Sequence, residues 1–148
     1  MKSNTLLAIL LFLKIVPGFS QHTSTGFYVV IENNNNCPNL AHALTGEAMY
    51  CLPEDPVIPE TEFEYIGDIE YNKSKGQKRF DLRLSPDGFK TLTTLASKLP
   101  DSKVALVIGG HVSGIYDSKG QIRNRTIIVW GSLDSPDIEW MHEKVKKK

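Results

Sequence analysis

Along the chain the spacing of apolar positions changes several times, and each change marks an element. Phe27 to Glu32 (FYVVIE) is dense in aromatic and β-branched residues and predicts a strand, which Asn33 to Asn36 close. Asn39 to Ala48 reads as a short helical turn and Met49 to Leu52 as a brief strand. Pro53, Pro56 and Pro59 lack the N–H that a ladder needs, so a surface loop is expected there. Ile66 to Asn72 and Lys78 to Leu84 then flank five polar residues containing Gly76, the form of a longer hairpin. In its second arm Phe80, Leu82 and Leu84 alternate with Asp81 and Arg83, which gives one buried and one wet face.

The period next lengthens to that of a helix. Ser85-Pro86-Asp87 supplies a capping hydroxyl, a proline in the first turn and a carboxylate at the positive end of the dipole. Phe89, Leu92, Leu95, Ala96 and Leu99 form one apolar stripe that Pro100 ends. Val104 to Ile108 is apolar throughout, as a central strand is, and Gly109-Gly110 turns the chain. Val112 to Tyr116 and Thr126 to Trp130 read as strands either side of the polar turn Asp117 to Gly120. A second helix follows Ser135-Pro136, with Ile138, Met141 and Val145 on one face. Together these elements predict an α+β domain, a mainly antiparallel sheet with two helices packed on one face.

The first residues belong to a different problem. Lys2 precedes an unbroken apolar run from Leu6 to Leu13, and Gly18-Phe19-Ser20 places small residues where a signal peptidase reads, so cleavage is expected between Ser20 and Gln21. A membrane anchor needs about 20 apolar residues, whereas Lys14 and Pro17 interrupt this run. The expected division is residues 1–20 as signal peptide, 21–62 as an N-terminal strand with a Pro-rich lead-in, and 63–148 as the α+β unit. An exported protein, periplasmic or extracellular and without stable membrane insertion, is the expectation.

Charge narrows the partners. The 17 basic and 17 acidic residues cancel, which removes the positive field that phosphate neutralisation requires, so no nucleic-acid partner is expected. Eight carboxylates lie between Glu47 and Glu70 with no base among them, followed by Lys73, Lys75, Lys78, Arg79 and Arg83. Such blocks commonly pair across a hairpin. Export also sets the reading of the two cysteines: in an oxidising compartment a Cys37–Cys51 bridge is expected, closing a loop of about 15 residues worth roughly 3 kcal/mol. His42 is the one nearby metal-ligand candidate, too few for a zinc site. No cofactor and no small-molecule ligand is expected.

The run from Phe80 to Gly131 resembles the head subdomain of the first periplasmic domain of SecD and SecDF, the membrane proteins that assist protein export. The resemblance rests on FDLRLSPDGFKTLTTLA (Phe80 to Ala96), ALVIGGHVSG (Ala105 to Gly114) and IIVWG (Ile127 to Gly131). The chain departs from the family at Gly109-Gly110, where Asp-Gly is usual, and at Ile115-Tyr116, where a small residue and Pro are usual. It also lacks the transmembrane helices of the proton-coupled motor. The resemblance implies a non-enzymatic module that contacts a polypeptide or an envelope protein.

Strand edges accept extended peptides through backbone hydrogen bonds, and the candidate contact segment is Val112 to Tyr116 with Trp130. In the competing reading Val112, Ile115 and Trp130 fill the core, and Tyr116 is the one expected to be exposed. The alternative function is a small secreted enzyme or inhibitor built on the His111 turn, with Ser113 and Asp117 close in sequence. No Gly-x-Ser-x-Gly elbow or phosphate-binding glycine loop supports an enzyme reading.

Overall fold

A chain whose apolar residues alternate over several strands must give each buried face a partner, and here two sheets and two helices supply it. The computed structural model describes residues 23–32, 36–119 and 124–146; the expected cleavage between Ser20 and Gln21 lies outside them. In chain order the strands are β1 (Gly26–Val29), β2 (Asn39–His42), β3 (Met49–Leu52), β4 (Ile58–Pro59), β5 (Phe63–Ile66), β6 (Glu70–Asn72) and β7 (Gln77–Leu84). Helix α1 (Pro86–Lys98), strands β8 (Lys103–Ile108), β9 (His111–Asp117) and β10 (Thr126–Ser132), and helix α2 (Asp137–Lys146) complete the order.

One antiparallel sheet has the order β4-β1-β8-β9, and the other runs β10-β7-β5 with β6 also paired to β7. The fold is therefore the mainly antiparallel α+β arrangement that the sequence predicts. Both helices cover the same side of the sheets. Leu92 of α1 and Ile138, Met141 and Val145 of α2 pack in one cluster with Phe27, Val104 and Leu106 of the first sheet and Phe80, Leu82 and Val129 of the second. Each such buried side chain contributes on the order of 1.5–3 kcal/mol relative to exposure. The opposite face of the first sheet (Tyr28, Ala105, Val107, Val112) is covered by the β2–β3 hairpin through Ala41 and Leu52. Cys37 and Cys51 are bonded, with Cα atoms 5.5 Å apart, and hold that hairpin to the chain entering it.

Local chemistry fixes the helix positions. The Ser85 hydroxyl accepts the Gly88 N–H at 3.0 Å, and Pro86 opens α1 as expected. Gly131 lets α2 approach β10 closely, because a Cβ there would overlap the Ile138 side chain. Lys78, 4% exposed, donates to both carboxylate oxygens of Glu139 at 2.6 and 2.7 Å and ties β7 to α2. Hydrogen bonding from Lys78 holds the Glu139 carboxyl below the usual carboxylate range. His142 Nε2 lies 2.9 Å from the Gly67 carbonyl and its ring meets Phe80 edge-on, a third tie between α2 and the sheet.

Three local expectations change. Asn39 to Ala48 contains strand β2 followed by a turn, not a helical turn, because pairing with β3 buries Asn39 and Ala41 on one side. The Pro-rich stretch still forms a two-residue strand at Ile58–Pro59, which an edge position permits. The α1 stripe ends before Leu99, which is 50% exposed at the C-cap.

Candidate functional site: an open strand edge

The contact residues expected from sequence lie on two strands that adjoin in the chain yet do not pair. β9 ends one sheet and β10 begins the other. Between them lies a groove of about 370 Å³ whose lining includes Leu44, Ser113, Trp130, Ser132, Asp137 and Met141. Neighbouring antiparallel strands usually pair, so the separation of these two leaves backbone groups on both sides of the groove.

Register identifies those groups. Arg125 C=O accepts the Leu84 N–H and Gly76 C=O accepts the Leu133 N–H, both continuing the β10–β7 register. Antiparallel strands alternate inward and outward groups, so Ile127 and Val129 bond to β7 while Thr126, Ile128 and Trp130 direct N–H and C=O away from it. Among the described residues no backbone hydrogen bond reaches the outward groups of Ile128 and Trp130. On β9 the Ser118 N–H bonds the Ser102 carbonyl, which by the same alternation turns Ile115 and Asp117 outward.

Soluble proteins guard such edges with charges, prolines, bulges or short length. The β5–β6 edge carries Glu64, Asp68 and Glu70 and a register shift. β4 is two residues long and ends in Pro59. β9 is closed at Val112, whose carbonyl accepts the Leu44 N–H at 2.9 Å, and it carries Asp117. β10 has none of these guards: TIIVWGS contains no charge, no proline and seven paired residues.

The individual residues divide unevenly. Val112 is buried and Ile115 half-buried, both against the second cluster. Tyr116, expected to be exposed, is instead half-buried: its ring packs over Gly114 and meets Phe27 at a centroid distance of 6.3 Å. Pairing with Val104 turns it toward the core, and burial pushes its hydroxyl pKa up to about 12. Trp130 is 49% exposed, with the Arg79 guanidinium 5.2 Å from its ring centroid. Tyr65 under Arg83 extends this wet face, which the hydrophobic count of the sequence did not single out.

The His111 turn is not assembled as a triad. His111 is exposed with its ring 5.9 Å from that of Trp140, and the Ser113 hydroxyl donates to the Leu106 carbonyl at 3.0 Å. Among the described residues no hydrogen bond joins His111, Ser113 and Asp117.

No family model matches the chain, and no curated protein matches it in sequence. A solved structure does: SecDF in its super-membrane-facing form, at a TM-score of 0.57 and 12% identity. The match covers 81% of this chain and 18% of that one, so this chain spans well under two thirds of the protein it matches. No helix among the described residues is long and apolar enough to cross a membrane. The two four-stranded sheets and the helices on their shared face thus form a SecDF-like fold.

Proposed function

We propose that this protein is an exported, non-enzymatic module that binds an extended polypeptide segment, or an envelope protein presenting one, by strand addition at β10. The part of SecDF it corresponds to is, in this reading, the head of the first periplasmic domain, and its setting is protein export or envelope folding. One observation carries the proposal: β10 presents an uncharged row of outward N–H and C=O groups beside a groove, while the other three ends of the two four-stranded sheets are guarded. Backbone hydrogen bonds would supply affinity, with Trp130 and Ile128 beside the added strand. The Cys37–Cys51 bridge supports an oxidising compartment.

Ile128→Pro tests this reading, since it removes an outward donor without touching a bond to β7. Binding of a fluorescent, reduced and carboxymethylated polypeptide should fall at least about tenfold, roughly one lost hydrogen bond plus steric exclusion, with unchanged circular dichroism. His111→Ala should bind as the parent does. Equal binding by a folded Ile128→Pro protein would end the strand-addition reading.

A further inference from the structure

The strand with the open edge is its own complement. In β10 the residues whose backbone groups point away from β7 are Thr126, Ile128, Trp130 and, by the same alternation, Ser132. A second copy turned about a twofold axis at Val129 runs antiparallel to the first. It sets Thr126 opposite Ser132 of the second copy and Ile128 opposite its Trp130, and symmetry makes each pair twice. This register uses all seven residues of the strand. Centring on Ile128 or on Trp130 pairs only Thr126 to Trp130 or Ile128 to Ser132.

Side-chain chemistry matches across that register. An aromatic ring against a β-branched side chain, and a hydroxyl against a hydroxyl, are favoured cross-strand pairs. The Thr126 hydroxyl donates to the Asn124 carbonyl and the Ser132 hydroxyl accepts the Asp134 N–H, both at 3.4 Å. Thr126 thus keeps an accepting oxygen and Ser132 keeps a hydrogen to donate, so the two can bond each other. The Ser132 carbonyl accepts the Ser135 N–H at 3.3 Å and has a second lone pair for the Thr126 N–H.

Charge agrees with the pairing. Around β10 three ion pairs close within the chain: Arg125 with Glu64, Arg79 with Glu70 and Lys78 with Glu139. What remains is Arg83, opposite Thr126 at the start of the strand, and Asp134 and Asp137 just past its end. None of the three has an oppositely charged partner among the described residues. Antiparallel pairing brings the basic start of one copy to the acidic end of the other at both ends, whereas a parallel copy would set like against like. We propose that two copies of this chain pair through β10 about a twofold axis at Val129. The inference rests on the reading of β10 as the open edge and names what covers that edge when no guest is bound. One strand pair is a small contact, so the dimer is of the transient class, and a guest segment displaces it.

Sedimentation equilibrium of the full, disulfide-bonded chain tests it. The weight-average mass should rise toward that of two copies as concentration approaches about 1 mM, and Ile128→Pro should hold it at one. Charge reversal tests the register. Arg83→Glu and Asp134→Lys should each weaken association at least about threefold. Mixing the two variants should restore it, because the mixed pair again sets opposite charges at both ends. Adding the carboxymethylated polypeptide should return the dimer to single copies. A chain that stays single at every concentration would overturn the proposal, as would association that survives Ile128→Pro. So would charge variants whose mixture associates no better than either alone, or a dimer that takes up the polypeptide without separating. None of these outcomes alters the fall in polypeptide binding expected of Ile128→Pro, so the two readings fail separately.

Discussion

Tyr116 links an edge strand to the main core, and its ionisation reports on that link. Its hydroxyl titrates near pH 12 in the folded protein against 10 for the free side chain, with burial as the cause. The unfolded chain therefore loses this proton first. The stability associated with Tyr116 is complete below pH 10 and is lost as pH rises toward 12, by up to about 2 kcal/mol. Urea midpoints measured at pH 9 and pH 11 should converge in Tyr116→Phe compared with the parent; an unchanged difference between the two would refute the assignment. The sequence placed Tyr116 beside a polar turn and so outside the core. What decides the matter is its register opposite Val104, a contact between strands that no local pattern carries. Cys37 and Cys51 were more legible, because spacing and compartment restrict two cysteines to few outcomes.

Elements with strong local chemistry were the easiest to read. Ser85-Pro86 and Ser135-Pro136 mark both helix starts, and Phe80, Leu82 and Leu84 mark the buried face of β7. β2 was misread because Leu40, Ala41 and Leu44 suit a helix as well as a strand, and only the partner β3 selects between them. The alternation along β10 makes a further prediction. Amide hydrogen exchange followed by NMR should be slow at Ile127 and Val129, which bond to β7, and faster by orders of magnitude at Ile128 and Trp130, which do not. Uniform protection across these four residues would mean that the edge is covered. Adding an extended polypeptide should slow the two fast amides selectively.

For the molecule as a whole, the β2–β3 hairpin is the cover of one sheet face and its tip is a wall of the groove, through Leu44. The disulfide holds that cover. Reduction should lower stability by about 3 kcal/mol, as expected for a loop of this size, read as a shift in the urea midpoint between reducing and non-reducing buffers. No shift would show that the hairpin is held by packing alone. The sheet-and-helix class was legible because the elements alternate in composition. The division into two sheets was not: it depends on β1 pairing with β8, far away in sequence, and on β9 and β10 remaining apart.

The absence of charge along Thr126 to Ser132 bears on how the protein can be handled and made. A segment hospitable to any extended chain is also hospitable to itself, and such stretches nucleate fibrils when many copies meet before folding is complete. Expressed yield should therefore rise when a single lysine replaces Ile128, and the strand addition proposed at β10 should be lost with it.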